Sequence, residues 1–313
     1  MPERKSEGRI VCRALVFKPA GGRGVSTIHS RYGMGRLEGS TLFLNEFELL
    51  FLYRKAIIKP ENPLIDDFGK LCDSLIGDDR ELDLLRVYSH FREKGFRVIR
   101  NGNDLVLVKK GRPSSRIRVT VWTEKGKCNF NDLSSLPSGF VALLDGQGDV
   151  TLFSAFAVDP RGKVEHRWPE SVRLKTLGES SIYEGNELPE WFGQEFNGLK
   201  ILEQAELEFL AESGVYEKSL RSSRNGRIFA DLVRRKFIVK TGFKYGAAYR
   251  AYETGMNSHA ELLVHDLTDP EEWYKISRAV RVSHAVRKRM IFCNLSGDDV
   301  SYLEIRRVGD NEL

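Results

Sequence analysis

The chain has 313 residues, of which 41% are hydrophobic and 30% are charged, and its formal net charge is +5 at pH 7. This composition is typical of a globular protein with a full apolar core, and it excludes a low-complexity or collagen-like chain. The basic excess is mild. It is compatible with a polyanionic partner such as a nucleic acid, but it does not indicate one by itself.

The four cysteines lie far apart and show no zinc-binding spacing: Cys12, Cys72, Cys128 and Cys293. We therefore expect reduced, mostly buried thiols and an intracellular protein located in the cytoplasm. The first residues contain no apolar core of a signal peptide, and no apolar run is long enough to span a bilayer. No association with a membrane is expected.

Three segments of the first half of the chain recur in the same order in the second half. The pairs are Leu44–Leu52 with Leu202–Leu210, Gly95–Val98 with Lys236–Val239, and Leu144–Val150 with Asn294–Val300. The first pair has helical periodicity, the second pair leads from a helix into a strand, and the third has the pattern strand, Gly/Asp turn, strand. The alternative is a chance similarity of common helix and hairpin patterns.

The preserved order predicts two degenerate copies of one unit of about 140–150 residues. We place the join between Asp159 and Gly178, where proline, glycine and charged residues accumulate. The predicted domains are an N-terminal copy over residues 1–165 and a C-terminal copy over residues 166–313. Each copy has a helical first part and then a mixed sheet flanked by helices, which indicates an α/β (α+β) fold.

In the C-terminal copy, Gly242 and Gly246 indicate a turn that enters a strand. Alternation along this strand puts Tyr252 on the same face as Arg250 and on the opposite face from Tyr249. The hydroxyl of Tyr252 is therefore expected to meet solvent or a ligand. From the pattern alone, a tyrosine in a strand is more often a packing residue with a hydrogen-bonded hydroxyl.

Two further segments carry titratable side chains. His259 stands before a short apolar strand, Glu261–Val264, as a loop residue or as a general acid or base. Residues 271–286 have the period of a helix, and Lys288 follows at the junction with a strand over residues 290–295. A lysine among arginines is either part of a solvated cluster or a phosphate site. The predicted core stripe of the helix is Ile276, Ala279, Ser283 and Val286.

Three motifs lie in this part of the chain. They are Gly242-Phe-Lys-Tyr-Gly246 with Tyr252, His259-Ala-Glu-Leu-Leu-Val264, and Arg281-Val-Ser-His-Ala-Val-Arg-Lys288. Together they resemble the tRNA-splicing endonuclease family of archaea, and the third motif is the most distinctive. The resemblance covers roughly Lys240 to Arg307, with a weaker match back to about Leu199.

The resemblance implies a catalytic set of Tyr252, His259 and Lys288 in a restriction-endonuclease-like domain over about residues 225–313. The implied reaction is cleavage of precursor tRNA at a bulge-helix-bulge motif, without a metal or another cofactor. Tyr252 would accept the proton of a ribose 2′-OH, and His259 would donate a proton to the leaving 5′-oxygen. Lys288 would neutralise the charge on the phosphorane, and the products would carry 2′,3′-cyclic phosphate and 5′-OH ends.

The chain departs from the family pattern at three points. Ala248 stands where the family often has an acidic residue, and Ala260 where it often has serine. The spacing from Tyr252 to His259 is also short. These departures put the loop geometry in doubt but remove none of the reacting groups.

The resemblance also implies a homodimer whose N-terminal copy is inactive. The segment that corresponds to Tyr252, Leu105–Lys109, has no tyrosine, and the segment that corresponds to His259, Ser114–Arg118, has no histidine. Lys288 corresponds to about Ser138, so the N-terminal copy lacks all three reacting groups at the matching places. Arg281, together with Arg306 or Arg307, would clasp a bulged base, and Arg250 is a further RNA-binding candidate. Acidic turns supply the candidate dimer contacts, with ordinary hairpin turns as the alternative: Asp145, Asp149, Asp298 and Asp299.

Two other functions remain open from the sequence. A metal-dependent nuclease needs clustered carboxylates followed by a strand lysine, and Asp104 to Lys109 is the nearest approach to that pattern. A non-catalytic RNA-binding or scaffold subunit would bind RNA without cutting it. The intact tyrosine, histidine and lysine set argues against a scaffold, since the first copy has lost all three.

Overall fold

The computed structural model describes residues 8–65, 67–109, 115–178, 180–256, 261–309 and 312–313. These residues form α-helices and several mixed sheets, so the predicted α/β (α+β) class is confirmed. No helix in these ranges combines the length and the apolar character that crossing a membrane requires.

The chain divides into two compact units that interleave in sequence. The first unit comprises Met1–Thr123, Ala142–Thr151 and Leu313, and the second comprises Glu124–Val141 and Leu152–Glu312. Neither unit ends at residue 165. The proposed copies describe sequence similarity and not compactness, so their boundary stays a prediction.

The first elements along the chain belong to the first unit. They are β1 (Arg9–Cys12), β2 (Leu15–Pro19), α1 (Val25–Tyr32), β3 (Arg36–Glu38), β4 (Thr41–Phe43), α2 (Glu46–Arg54), β5 (Ile58–Pro60), α3 (Phe68–Leu75), α4 (Asp79–Glu93), β6 (Arg97–Asn101), β7 (Asp104–Val108) and β8 (Arg116–Thr123). One sheet has the strand order β3-β4-β1-β2-β5. Strands β6, β7 and β8 form an antiparallel ladder. The rings of Phe47 and Tyr88, 5.6 Å apart, join α2 to α4 in the core of this unit.

The remaining elements follow in chain order. They are β9 (Lys127–Cys128), α5 (Phe130–Ser134), β10 (Phe140–Leu144), β11 (Val150–Val158), β12 (Lys175–Leu177), β13 (Ser180–Tyr183), β14 (Gln194–Phe196), β15 (Leu199–Leu202), α6 (Gln204–Glu212), α7 (Arg224–Arg234), β16 (Ile238–Thr241), β17 (Tyr249–Tyr252), β18 (Leu262–Asp266), β19 (Glu271–Glu272), α8 (Trp273–Ala285), β20 (Arg289–Ser296) and β21 (Asp299–Val308).

The main sheet of the second unit has the strand order β16-β17-β18-β20-β21-β11. Strands β18 and β20 are parallel, and helix α8 makes the crossover between them. The other neighbouring strands in this order are antiparallel. A smaller sheet has the order β12-β13-β15-β14.

Aromatic side chains fill the core between α6, α7 and the main sheet. The ring of Phe209 on α6 lies 6.1 Å from that of Phe229 on α7, which in turn lies 5.8 Å from the ring of Tyr249 on β17. Trp273, the first residue of α8, is fully buried and lies 5.6 Å from Phe153 on β11. These contacts fix α7 and α8 against the strands that carry the candidate site.

The helix predicted over residues 271–286 is present, with a shift at each end. Glu271 and Glu272 form β19, which pairs with β9. The predicted stripe is buried at Ile276, Ala279 and Ser283, but the prediction was wrong for Val286, which is 36% exposed. The helix has already ended at Ala285, and the chain turns away at Arg287, which has φ 55°.

The join was placed between Asp159 and Gly178; residues 159–174 of this range contain no helix or strand, and β12 begins at Lys175. This segment runs alongside residues 235–237, which lead into the edge strand β16. Gly162 donates its N–H to the carbonyl of Arg235 at 2.8 Å, and Val164 donates to the carbonyl of Lys236 at 3.0 Å. A Cβ at Gly162 would lie 2.1 Å from the Lys236 oxygen, so only glycine fits there. This segment covers backbone that an edge strand otherwise leaves open.

The helices α2 and α6, which the repeat hypothesis aligns, begin in the same way. In α2, the Glu48 carboxylate accepts from the N–H groups of Gly35 at 3.0 Å and Asn45 at 3.1 Å. In α6, the Glu206 carboxylate accepts from two N–H groups at 2.8 and 3.0 Å, those of Gly193 and Glu203. This correspondence supports the proposed repeat.

Candidate active site

Strand β17 ends, and strands β18 and β20 begin, at one edge of the main sheet. Ala251 on β17 pairs with Leu262 on β18, and Leu262 pairs with Arg289 on β20. Tyr252 and Lys288 lie one residue beyond this row, at the same edge. Since neighbouring strands are about 4.8 Å apart, their backbones are about 10 Å apart. His259 lies outside the described residues.

Tyr252 is the last residue of β17 and pairs with Ile238 on β16. Its side chain is only 7% exposed. The guanidinium carbon of Arg250 lies 5.9 Å from the centre of its ring. Tyr249 points into the core, where its hydroxyl donates to the carbonyl of Asn225 at 2.9 Å, and burial raises the pKa of that hydroxyl. Tyr249 and Ala251 are buried, as predicted for their face. Tyr252 is buried too and belongs to the same apolar core, so the contact of its hydroxyl with solvent or a ligand stays a prediction.

Glu261 ties the ends of the three strands together. Its carboxylate accepts a hydrogen bond from the N–H of Glu253 at 2.8 Å, and its carbonyl accepts one from the N–H of Arg289 at 3.0 Å. Arg289 also donates to the Glu304 carboxylate through Nε at 3.1 Å and Nη2 at 2.6 Å. That hydrogen bonding raises the pKa of Arg289. The edge is therefore held in place by bonds that involve neither Tyr252 nor Lys288.

Lys288 is half-buried and follows the C-terminal end of α8. Its N–H donates to the carbonyl of Ser283 at 2.9 Å, which closes the helix. Its Nζ lies 5.9 Å from the centre of the Tyr245 ring, in the short 3-10 helix Phe243–Tyr245 between β16 and β17. The ammonium group is thus held near the loop before β17.

Three cations lie on the exposed side of α8: Lys275, Arg278 and Arg281. The helix contains no acidic residue. None of the three forms an ion pair with a residue that the structure describes, whereas Arg289 and Arg306 do. This basic face of α8 is therefore open to an anionic partner.

Arg306 and Arg307 are neighbours on β21 and point to opposite faces of the sheet. Arg306 pairs with Ser154 and Arg307 with Phe153 on β11. Arg306 makes an ion pair with Glu312 at 2.9 Å. Arg307 is exposed and makes no ion pair within the described ranges. The two arginines that the sequence left as alternatives thus have different surroundings.

The acidic turns are present where the sequence predicted them, at the ends of two hairpins. Asp145 accepts from the N–H groups of Gln147 and Asp149, each at 2.9 Å, so it shapes its own turn. The Asp298 side chain is 98% exposed and lies 3.3 Å from Arg227. Asp299 begins β21 and is exposed. None of these contacts tests a role in dimerisation.

Sequence reasoning missed a cavity of about 820 Å³ in the second unit, whose walls include Trp191, Glu206, Lys240, Arg250 and Met256. Lys240 faces Arg250 across the β16–β17 ladder and donates to the carbonyl of Gly193 at 2.8 Å. Burial lowers the pKa of Lys240 and raises that of Glu206. The sequence signal for this cavity was Lys240, the single charged residue in the otherwise uncharged strand β16.

Asp104 to Lys109 was the nearest approach in the sequence to the carboxylate pattern of a metal-dependent nuclease. In the structure, Asp104 makes an ion pair with Arg118 on the neighbouring strand at 2.6 Å. Within the described ranges, no three His, Cys, Asp or Glu side chains are grouped so that they could hold a metal ion.

The comparisons with known proteins agree with the motifs. Residues 223–302 match the family described as tRNA intron endonuclease, catalytic C-terminal domain. A tRNA-splicing endonuclease of Thermoplasma volcanium is 30% identical over 300 residues, which cover 96% of this chain and 98% of the relative. Another, of Picrophilus torridus, is 29% identical over 297 residues, covering 94% and 95%. With such identity over nearly its whole length, this chain belongs to the tRNA-splicing endonuclease family.

Proposed function

We propose that this chain cuts precursor tRNA at the bulge-helix-bulge motif of intron–exon junctions, by transesterification without a metal ion. The observation that carries the proposal is the position of Tyr252 and Lys288 at one edge of the main sheet, on strand ends that Glu261 ties together. The relatives' printed name, tRNA-splicing endonuclease, supports the class of substrate.

In the proposed reaction the ribose 2′-oxygen attacks the adjacent phosphorus. Tyr252 accepts the 2′-OH proton, the bond from phosphorus to the 5′-oxygen breaks, and His259 donates a proton to that oxygen. The products are a 2′,3′-cyclic phosphate and a 5′-OH. The role of His259 rests on the family motif alone, because this residue lies outside the described residues.

Lys288 stabilises the phosphorane in this proposal. The phosphorane oxygens gain negative charge as the 2′-oxygen attacks, and a fixed ammonium group near them lowers the barrier. Two features support a fixed position: the bond of the Lys288 N–H to Ser283, and the proximity of Nζ to the Tyr245 ring. Arg250, beside the Tyr252 ring, adds a second positive charge at this edge.

We propose that RNA is bound by the basic face of α8 and by the end of β21. Arg281 and Arg307 clasp a bulged base, since planar guanidinium groups stack on unpaired bases. We favour Arg307 over Arg306, because Arg306 must first break its ion pair with Glu312. The working assembly is a homodimer in the cytoplasm, in which an acidic turn of one copy docks onto its partner.

The first experiment incubates the pure protein with an intron-containing precursor tRNA in EDTA and identifies the new ends. We expect cutting to persist and to leave 2′,3′-cyclic phosphate and 5′-OH ends. A deoxyribose at the cut should prevent cleavage, because the nucleophile is missing. A 3′-OH end, or cleavage that stops in EDTA, would contradict the mechanism.

The second experiment separates an effect on catalysis from an effect on binding. It compares a lysine just after α8 with a lysine on the exposed face of that helix. Lys288→Met should lower kcat roughly 100- to 1,000-fold with little change in KM, because it removes only transition-state stabilisation. The matched control is Lys275→Met, which removes the same charge from the exposed face of α8 and should raise KM without lowering kcat. Equal kinetic effects of the two substitutions would argue against a catalytic Lys288.

A further inference from the structure

Phe243 is the most exposed large apolar side chain in the described ranges, with 88% of its surface open to solvent. It is the first residue of the 3-10 helix Phe243–Tyr245, and the exposed cation Lys244 and the half-buried Tyr245 follow it. An isolated exposed aromatic ring gains nothing from folding, because its apolar surface stays in water. Burial within the chain therefore gives no reason for an aromatic residue at this position.

The loop that carries Phe243 is held rigidly by its own backbone. The Gly242 carbonyl accepts from Tyr245 at 2.8 Å and from Ala247 at 3.3 Å, and Gly246 donates to the carbonyl of Phe243 at 3.0 Å. A Cβ at Gly242 would lie 2.6 Å from the Ala247 oxygen, and Gly246 has φ 67°. The ring is thus presented from a fixed backbone, which limits the entropy lost when a ligand stacks on it.

The same loop lies beside the proposed phosphate site. The Nζ atoms of Lys288 and Lys244 lie 5.9 and 6.0 Å from the centre of the Tyr245 ring. Two ammonium groups and an exposed aromatic ring therefore occur within one short stretch of surface. This combination suits single-stranded nucleic acid, whose bases stack on aromatic rings while its phosphates contact cations.

We propose that Phe243 stacks on an unpaired base of the RNA substrate next to the phosphate that is cut. This inference rests on the proposed function. It gives Phe243 a positioning role that none of the three catalytic motif residues has. By holding one flanking base, the ring fixes the scissile linkage relative to Lys288. The effect is on binding and orientation, since the ring has no group that can transfer a proton.

The test compares three substitutions in the full-length protein, using an intron-containing precursor tRNA in EDTA. Phe243→Ala should lower kcat/KM roughly 5- to 150-fold, the range for loss of one stacked base. Phe243→Trp should keep activity, because it can stack, whereas Phe243→Leu should behave like alanine although it is apolar. The matched control is Phe196→Ala on β14, a ring that is 58% exposed and lies outside this loop.

A second measurement identifies the base. Precursor RNAs with one abasic ribose near the cut are tested, one position at a time, with the unsubstituted protein and with Phe243→Ala. At one position the abasic RNA should lose activity with the unsubstituted protein but lose nothing more with Phe243→Ala. Equal losses with both proteins at every position would overturn the inference.

Three further outcomes are informative. If the unsubstituted protein does not cut the precursor tRNA at all, the proposed function fails and not this inference alone. If it cuts and Phe243→Ala cuts equally well, only the inference fails. If Phe243→Ala changes the molar mass measured by light scattering without RNA, the ring is a protein contact, and base stacking is rejected.

Discussion

His166 lies in the segment of residues 159–174 that runs along β16, and its side chain makes the stability of the fold depend on pH. Its Nε2–H donates to the carbonyl of Phe237 at 3.0 Å, while Nδ1 is buried without a hydrogen-bond partner in the described ranges. Its ring lies 5.1 Å from that of Trp191 and 5.9 Å from that of Trp168. A protonated imidazole would place a donor where no acceptor exists, so burial lowers the pKa of His166.

This lowered pKa predicts that acid destabilises the second unit. In the unfolded chain a histidine binds a proton below about pH 6.5, whereas the folded state resists protonation. The unfolded state therefore binds more protons, and the free energy of unfolding falls as pH drops from about 6.5 towards the lowered folded value. Urea unfolding at pH 7.5 and 5.5 measures the fall.

The matched variant is His166→Phe, which fills the same aromatic site but does not titrate. It should be less stable than the unsubstituted protein at pH 7.5, because it loses the bond to Phe237. It should also lose less stability between the two pH values. An equal fall in both proteins would show that His166 does not carry the acid sensitivity.

The hydrogen bonds at the starts of α2 and α6 predict how much each helix start contributes to stability. Glu48 and Glu206 each use two carboxylate oxygens to accept two backbone N–H groups. Glutamine has the same shape but only one acceptor oxygen, so its amide would face one of the N–H donors. Glu48→Gln and Glu206→Gln should each lower the free energy of unfolding by about 1–3 kcal/mol.

Urea unfolding curves measure both effects, and the control is Glu217→Gln at an exposed site. The control should stay within about 0.5 kcal/mol of the unsubstituted protein. If Glu206→Gln is as stable as the control, the double acceptor is unimportant for α6. Similar losses at Glu48 and Glu206 would add support to the proposed repeat.

Local periodicity predicted the strands and the helix that carry the candidate site, and non-local pairing explains the details that it missed. The strands at residues 261–264 and 290–295 and the helix between them were correct within two residues. The exposure of Val286 depends on where α8 ends, and the pairing of β19 with β9 joins residues far apart in sequence. Neither feature can be predicted from the pattern of a few consecutive residues.

The site was predictable in its residue types and not in its geometry. The motifs named Tyr252 and Lys288, but their common edge depends on β18 running parallel to β20. No spacing rule gives that direction; it requires the crossover through α8. Lys240 was missed because its burial depends on the cavity formed with α6 and β14, which lie well before it in the chain.

For the whole molecule, the acidic turns predict how copies associate. We expect a homodimer in which the turn of Asp145 and Asp149 contacts the partner. Asp145→Asn keeps the oxygen that accepts from Gln147 and so preserves the turn, while it removes the charge. Combined with Asp149→Asn, it should raise the Kd of the dimer at least about tenfold, if these charges are paired across the interface.

Analytical ultracentrifugation over a range of concentrations measures this Kd. The matched control is the pair Asp298→Asn and Asp299→Asn at the other hairpin, which should change the Kd less. A larger effect of that second pair would assign the contact to the other turn. A monomer at every concentration would remove the homodimer from the proposal.

The segment that covers β16 sets where the chain can be divided. Gly162 and Val164 satisfy carbonyls that lead into this strand, and His166 satisfies the next one. A truncation that starts the polypeptide at residue 166 would remove the first two donors and leave an open strand edge, which can recruit other chains. A separately expressed catalytic half should therefore remain dispersed only when it begins upstream of Asp159, and filtration after expression distinguishes the two starting points.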